Sequence, residues 1–476
     1  MTLEKGHIPR KTHCLQVSFL LCRLSMKPYV LLVNPWIYDF AAYDYWMKPL
    51  GLMYMASYLR KNGLDVRLVD CLDGYAPQAA SMALRSRRPP RRKPGGHGKF
   101  LRHRIAIPPP LGMIARPYHR YGIDPEVFYA MVRSSGKPRA IMVTSMMTYW
   151  YPGVIAAVRI LKDIFPESPV ILGGIYATLC SEHARAHTGA DYVLTGAGEG
   201  HVDLILETIL GISASYRPDT DNLDALPYPA WDLLPHVDQL PVLTSRGCLC
   251  RCPYCATRIL NRKFRRRRPW LVVDEIAHWR KTLGVKNFSF YDDALLVHPE
   301  EMAIPLLKDI IIRNLDAGFH CPNGLHLREI TPDIATLLFR AGFRTLRFGL
   351  ETTDRDRQRA LGGKVENVHF EQATAYLREA GYKSDDIAVY LLCGLPGQSA
   401  GEIRESIRYV QSHNARPILA EYSPLPGTEL WDAACQSSPY PLAEEPLFHN
   451  NSLLPCAHPT LTTPEYHELK RRSRGL

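Results

Sequence analysis

The sequence has no long apolar run. Nowhere do about 18 uninterrupted hydrophobic residues occur, so no transmembrane helix is expected. It has no second Cys-x2-Cys pair to accompany Cys252 and Cys255, which argues against a zinc site built from two separated pairs. The apolar stretch 17–21 lies next to Arg23 and Lys27 and is followed by no small-residue cleavage site, so no secretory signal is expected. Twelve cysteines in 476 residues are too few for a disulfide scaffold. Four of them fall within positions 248–255, which suits metal-binding thiolates in a reducing compartment; cytoplasm is the expected location. With 46% hydrophobic and 22% charged residues the chain is neither disordered nor membrane-like, and its length allows two to three domains.

Acidic residues are outnumbered by basic ones, 47 to 58, for a net charge of +11. Much of the excess lies in the run 85–104, which also holds prolines and the pair Gly95-Gly96. Such a run reads as a solvated insertion, spanning about 85–120 of the sequence. The alternative is a nucleic-acid-binding surface, whose affinity would fall steeply with salt. Against it stand the single aromatic of the run, Phe100, and the lack of a known binding module.

Residues 1–27 are expected to be an extension without fold, because a strong strand begins just after Met26. From there short apolar strands (29–33, 65–70, 140–144, 170–172, 191–194) alternate with helices (50–62, 151–165 and a helix after Gly200). This alternation implies a parallel sheet covered on both faces, a doubly wound α/β domain over 28–212. Ligands bind such sheets beyond the carboxyl ends of the strands. Asn34, Asp70, Ser145, Gly173, Gly174 and Gly196 fall there. The glycines either let a bulky ligand approach the backbone or serve tight turns.

The stretch 213–240, with Leu226-Pro227-Tyr228-Pro229, reads as a linker between two domains. Over 241–430 the alternation resumes with six strands, at 242–245, 287–291, 319–323, 345–350, 388–392 and 418–422. Helices separate them at 271–283, 300–313, 332–341, 368–380 and 402–411. Six strand–helix units make a partial (β/α)6 barrel rather than a closed eight-fold one, and 431–476 forms a carboxyl-terminal extension.

The chemistry concentrates in Arg246-Gly247-Cys248-Leu249-Cys250-Arg251-Cys252-Pro253-Tyr254-Cys255. Cys248, Cys252 and Cys255 have the spacing Cys-x3-Cys-x2-Cys, and three thiolates on one loop can hold three corners of a cubane iron–sulfur cluster. The fourth iron is then open to a small molecule. A zinc loop is the alternative, with Cys250 as fourth ligand, but alternate cysteines on so tight a loop strain a tetrahedral site. The cysteine loop, Asp292-Asp293, Glu351 and Gly394 all follow barrel strands, so four independent features share one rim.

This spacing, with Tyr254 before the last cysteine, resembles the signature of the radical S-adenosylmethionine (SAM) enzymes. The resemblance implies that the open iron of a 4Fe-4S cluster binds SAM and that reductive cleavage yields a 5′-deoxyadenosyl radical. An electron donor such as flavodoxin or ferredoxin and a small-molecule substrate are implied with it. Arg347-Phe348-Gly349-Leu350-Glu351 resembles the family's fourth strand, where Glu351 would meet the SAM ribose or ammonium; otherwise Glu351 pairs with Arg344 or Arg347. Asp292 and Asp293 resemble an acidic pair that receives the SAM ammonium or orients substrate, or else they form a local cap or turn. Gly394-Leu395-Pro396-Gly397 is similar to the turn that lines adenine, and Ser423-Pro424-Leu425-Pro426-Gly427-Thr428 is typical of the group.

In the first half, 30–35, Pro49-Leu50-Gly51-Leu52, 170–174 and 189–199 resemble the cobalamin-binding radical SAM proteins, so the first sheet is expected to be cobalamin-binding-like. The resemblance spans roughly 28–430. It places Asn34, Ser145, Gly173, Gly174 and Gly196 at the corrinoid and implies methyl transfer from SAM through cobalamin to an unactivated carbon. A cobalamin-independent rearrangement or oxidation is the alternative. The Asp-x-His-x2-Gly pattern that supplies a histidine to cobalt is absent; Asp70-Cys71-Leu72-Asp73-Gly74 stands in its place. Replacing Cys248, Cys252 or Cys255 by alanine is expected to abolish the cluster and SAM cleavage, while Cys250→Ala keeps both. Iron content and 5′-deoxyadenosine formation check this, and a full cluster in any of the first three variants contradicts the ligand set.

Overall fold

Strand β1 (Tyr29–Asn34) is buried along its whole length, as a central parallel strand covered on both faces must be. In the computed structural model, which describes residues 28–75, 91–217 and 219–475, it opens the first domain. The expected amino-terminal extension and the start of the basic run lie outside the described residues. After β1 come β2 (Ile37–Asp39), helix α1 (Leu50–Lys61) and β3 (Asp65–Asp70). Then follow β4 (Arg102–Ile105), β5 (Tyr118–Tyr121), α2 (Pro125–Ser134), β6 (Ala140–Val143), α3 (Tyr151–Ile164), β7 (Val170–Leu172) and β8 (Tyr192–Val193).

Five strands form a wholly parallel sheet in the order β3-β1-β6-β7-β8. This is a doubly wound order whose switch point lies between β1 and β6, where the chain direction of winding reverses and a crevice opens. The helix expected after Gly200 is instead a 3-10 turn (Gly198–His201) followed by a π-helix (Leu204–Ile209), a wide winding found most often at functional sites.

The second half runs β9 (Leu240–Val242), β10 (Ser245–Arg246), β11 (Arg265–Arg266), α4 (Pro269–Leu283), β12 (Asn287–Phe290), α5 (Ala303–Arg313), β13 (Gly318–Leu325) and α6 (Pro332–Arg340). It continues through β14 (Phe343–Glu351), α7 (Asn367–Glu379), β15 (Ile387–Cys393), α8 (Ala400–Ser412) and β16 (Arg416–Glu421). Six strands are parallel in the order β9-β12-β13-β14-β15-β16, the partial barrel that the alternation predicts. Phe288, Phe319 and Phe343 stack across neighbouring strands at 6.2 and 5.2 Å between ring centres, filling the layer between sheet and helices.

One apolar core joins the halves, from Val30 and Met53 through Trp231 of the linker to Phe288 and Leu346. The linker is therefore fixed, with Ala230 N–H donating to Met53 O at 3.0 Å and Ser57 Oγ to Tyr228 O at 2.6 Å. The tail, ending in α9 (Thr463–Arg472), clasps the first domain: Asn450 donates to buried Asp39 at 2.8 Å, and His449 bonds Thr148 at 3.0 Å. Among the described residues no helix is long and apolar enough to cross a membrane.

The basic segment departs most from its expected form. Its described part is not a solvated loop. Strand β4 joins β2 and β5 in an antiparallel sheet, and Phe100 is buried. Residues 91–98 close the amino-terminal end of the barrel. Arg92 bridges Asp44 at 2.5 Å and Asp238 at 2.8 Å, and Asn287, the first residue of β12, donates to Pro94 O at 3.3 Å. Trp46 donates to Gly95 O at 2.6 Å and stacks on His320 at 4.6 Å between centres. A charge run hides this role because its partners Asp44, Trp46 and Asp238 are supplied by other segments. Arg92→Met should strand the Asp44 carboxylate, which is 1% exposed, and lower the unfolding free energy by about 3–5 kcal/mol. Urea unfolding checks this; a loss below about 1 kcal/mol would show the plug to be loosely held.

Candidate functional site at the junction of the two domains

The cysteine loop is held at its base by two short antiparallel strands, with Ser245 opposite Arg266 and Arg246 opposite Arg265. Gly247 starts it at a φ of 87°, and a Cβ there would fall 2.7 Å from Lys263 O, so the sharp exit needs glycine. Asp292, at the end of β12, fastens the same base from beneath. Its carboxylate accepts from the backbone N–H and hydroxyl of both Thr244 and Ser245, at 2.5–3.1 Å. Asp292, expected from the sequence to meet SAM or orient substrate or else to form a local cap or turn, has its carboxylate buried and bonded to these four donors. Asp293 instead borders the cavity described below, and burial raises its pKa against a hydrogen bond from Thr257 that lowers it.

The thiols of the loop are all free. Ligand atoms of Cys248, Cys250 and His326 lie within 4.8 Å of one another, with Cys250 Sγ 3.7 Å from His326 Nε2. The Cys250 N–H also donates to Cys248 Sγ at 3.4 Å. Cys250 is thus packed between a motif cysteine and a histidine from the end of β13. Lys364 Nζ lies 6.0 Å from the centre of the Tyr254 ring.

Glu351 ends β14 with a φ of 69°, a left-handed conformation uncommon for a side-chain-bearing residue. It pairs with Lys364 at 2.5 Å and with neither Arg344 nor Arg347. Arg347 is turned to Tyr45, donating to its hydroxyl at 2.8 Å. Burial opposes the Lys364 charge, but Glu351 and the Cys252 sulfur in its thiolate form hold the ammonium above the usual lysine range. Gly394 begins the turn after β15, where its N–H and that of Leu395 donate to Gln398 Oε1 at 3.0 and 3.3 Å.

A cavity of about 410 Å³ opens between the cysteine loop and the first sheet. Gly173, Gly174 and Gly196 border it from the first domain; Arg246, Thr257 and Asn261 border it from the second. Gly173 and Gly196 have no atom within 4 Å of where a Cβ would stand, so the backbone itself faces open space. At Gly174 a Cβ would strike Ser145 O at 2.2 Å. Ser145 does not border the cavity; its hydroxyl donates to Gly173 O at 2.7 Å and accepts from Ala177 N–H, shaping the glycine turn from behind. Asn34 is likewise turned away, donating to Asp70 Oδ1 at 2.7 Å. Asp70 also receives the Leu72 N–H at 2.9 Å, so the place of the missing histidine is filled by a closed local network.

The two sides of the cavity are tied by Glu199 and Arg246, 2.6 Å apart and largely buried. Burial disfavours the Glu199 charge, yet Arg246 outweighs it and keeps the carboxyl below its usual range. Arg246 also lies over the Tyr54 ring at 5.1 Å. This pair, Lys364 and His326 escaped the reading of the sequence. Both members of the pair stand inside quoted motifs, but no spacing reports a contact across 47 residues.

The radical SAM superfamily profile matches residues 242–410, and the B12 binding domain profile matches residues 118–206. The chain is 24% identical over 330 residues to an uncharacterized methyltransferase of Pyrococcus horikoshii, covering 62% of this chain and 69% of the relative. It is 22% identical over 469 residues to the cytidylyl-2-hydroxyethylphosphonate methyltransferase of Streptomyces wedmorensis, covering 84% and 80%. Its fold is similar to the radical S-adenosylmethionine methyltransferase TsrM of Kitasatospora setae, solved with tryptophan substrate and a SAM analog bound. The TM-score is 0.63 at 15% identity, with 94% of this chain and 89% of that one covered.

Burial pushes Asp292 up to about 6, outweighing the donors that favour its charged form. The folded chain therefore holds the proton more tightly than the unfolded one. That contribution to stability is complete below about pH 4 and is lost as pH rises through about 6. Against Asp292→Asn, which does not titrate, wild-type stability should decline over this interval by up to about 3 kcal/mol. Urea titrations at several pH values measure it, and a difference that stays flat or grows with pH is incompatible with this assignment.

Proposed function

We propose that this chain, which belongs to the radical SAM superfamily and carries a B12-binding domain, methylates an unactivated carbon of a small-molecule substrate. The observation that carries this is the shared cavity. Bare glycine backbone of the first sheet and the base of the cysteine loop border the same space, so Gly173, Gly174 and Gly196 would hold a corrinoid beside the loop that would hold the cluster. When bound, the cluster and cobalamin supply one-electron cleavage of SAM and methyl carriage; one SAM gives its methyl group, a second yields 5′-deoxyadenosine and methionine, and two electrons enter.

Cys248, Cys252 and Cys255 are the proposed cluster ligands. Tyr254, Asp293, Gly394 and the Glu351–Lys364 pair border the proposed SAM site. Lys364 both neutralises Glu351 and adds a positive charge beside the Cys252 thiolate, so cluster and acceptor are held in one electrostatic frame. Gly173, Gly174 and Gly196 form the proposed corrinoid wall, with Ser145 shaping that turn. The residues at the Asp70 position would offer a corrinoid no histidine, and Asn34, Asp70 and Leu72 bond one another there. The electrons come from a flavodoxin- or ferredoxin-class donor in a reducing compartment, the cytoplasm, in keeping with free cysteines throughout the described residues.

The test is anaerobic purification and reconstitution of wild type and Gly173→Leu, whose added side chain points into the cavity. Wild type should bind corrinoid near one per chain, and the variant at least about tenfold less, with iron content unchanged. Absence of corrinoid from the wild type, or equal corrinoid in both, would falsify the assignment of this cavity.

A further inference from the structure

A second cavity, of about 1310 Å³, lies between the antiparallel sheet β2-β5-β4 and the carboxyl-terminal tail. This exceeds the usual range of small-molecule pockets, about 300–1,000 Å³, so it admits a ligand with a substantial body. It begins at the carboxyl ends of the last two barrel strands. Glu421, opposite Cys393 in the β15–β16 register, borders it, and so does Leu454, whose Cδ2 lies 3.1 Å from where a Cβ on Gly394 would stand. Its wall therefore touches the turn assigned above to SAM.

The lining combines an apolar surface with charge of one sign. Phe100, Ile114, Tyr121, Leu453 and Leu461 supply the first. Lys99, Arg102, Arg116 and Lys470 supply the second, against one carboxylate, Glu421. That carboxylate is already matched: it accepts from Lys470 at 2.7 Å and from the Tyr466 hydroxyl. Lys99, Arg102 and Arg116 are exposed at the rim of the cleft and take part in no ion pair among the described residues. Arg116 is held in place without being neutralised, its guanidinium 4.7 Å from the Phe40 ring and donating to Ser452 O at 2.8 Å. Three unneutralised cations around an apolar floor favour a negatively charged ligand with an apolar body.

We propose that this cleft binds the substrate and that the substrate is an amphipathic anion, an aromatic or aliphatic body carrying a carboxylate or phosphate group. Its role as substrate rests on the radical SAM reading above; the binding chemistry does not. The cations would hold the anionic end near Arg102 and Arg116, leaving the apolar body to extend along Leu453 and Leu454 toward the strand ends. Recognition through charge at one end and reaction at the other suits a methylation whose target carbon offers no polar handle.

The experiment is isothermal titration of the reconstituted protein with 2-naphthoate, 2-naphthyl phosphate and neutral 2-naphthol. One or both anions should bind at least about tenfold more tightly than naphthol, the tighter one identifying the anionic group. Arg102→Gln with Arg116→Gln should remove that preference while leaving naphthol affinity unchanged. Ala115→Trp, which fills the mouth of the cleft from an exposed position, should weaken all three. Anions that bind no better than naphthol, or a preference that survives the double variant, would overturn the proposal. Corrinoid and iron content are measured on the same samples. No anion preference in the wild-type protein with both cofactors retained counts against the cleft alone; anion binding without corrinoid counts against the cavity assignment instead.

Discussion

The buried pair of Glu199 and Arg246 is the contact on which the arrangement of the site depends. Glu199 belongs to the glycine-rich turn after the last strand of the first sheet, and Arg246 is the last ordered strand residue before the cysteine loop. With side chains 6% and 13% exposed, neither charge keeps much water, and each is tolerable only because the other is there. The pair therefore fixes the relative position of two loops from separate domains, and the space left between them is the cavity. Tyr54 from α1 covers the guanidinium, so the helix after the first strand is drawn into the same contact.

A second constraint works from the opposite end of the barrel. Six parallel strands do not close, and the open end needs a cover. Residues 91–98 and the aromatic loop with Trp46 provide it, anchored by Arg92 between Asp44 and Asp238. Tyr45 enters the interior to meet Arg347, and Tyr291 meets Lys48 N–H at 3.0 Å. The first domain is thus attached to the barrel at both ends, and the core runs through the linker without a break. Such attachment limits relative domain motion, which favours a fixed distance between the two proposed cofactors.

Most of the strand boundaries were legible in the sequence because parallel strands buried on both faces are continuous apolar runs, as in 29–33 and 388–392. The antiparallel sheet was not legible. Its strands Arg102–Ile105 and Tyr118–Tyr121 are polar or mixed and are joined by no tight turn, so neither alternation nor a turn signal reports them. The site divided in the same way. Gly173, Gly174 and Gly196 could be placed at strand ends from pattern alone, whereas Asn34, Ser145 and Asp292 occupy equivalent positions but spend their polar atoms on neighbouring backbone and side chains. Position was the same kind of evidence for both groups; the partners that Asn34, Ser145 and Asp292 take were set by tertiary contacts.

The sequence by itself determined the chemistry available: the Cys248–Cys252–Cys255 spacing, the apolar runs of the parallel strands, and the excess of positive charge are all properties of residues near one another in the chain. Tertiary structure alone decided which charges meet. It brought Lys364 to Glu351, Arg246 to Glu199 and Arg92 to Asp44, and it left Lys99, Arg102 and Arg116 without carboxylates around a large cleft. The physical reason is that ion pairing and cavity shape depend on distances of a few ångströms between segments far apart in sequence. Spacing along the chain constrains those distances only within one turn or loop.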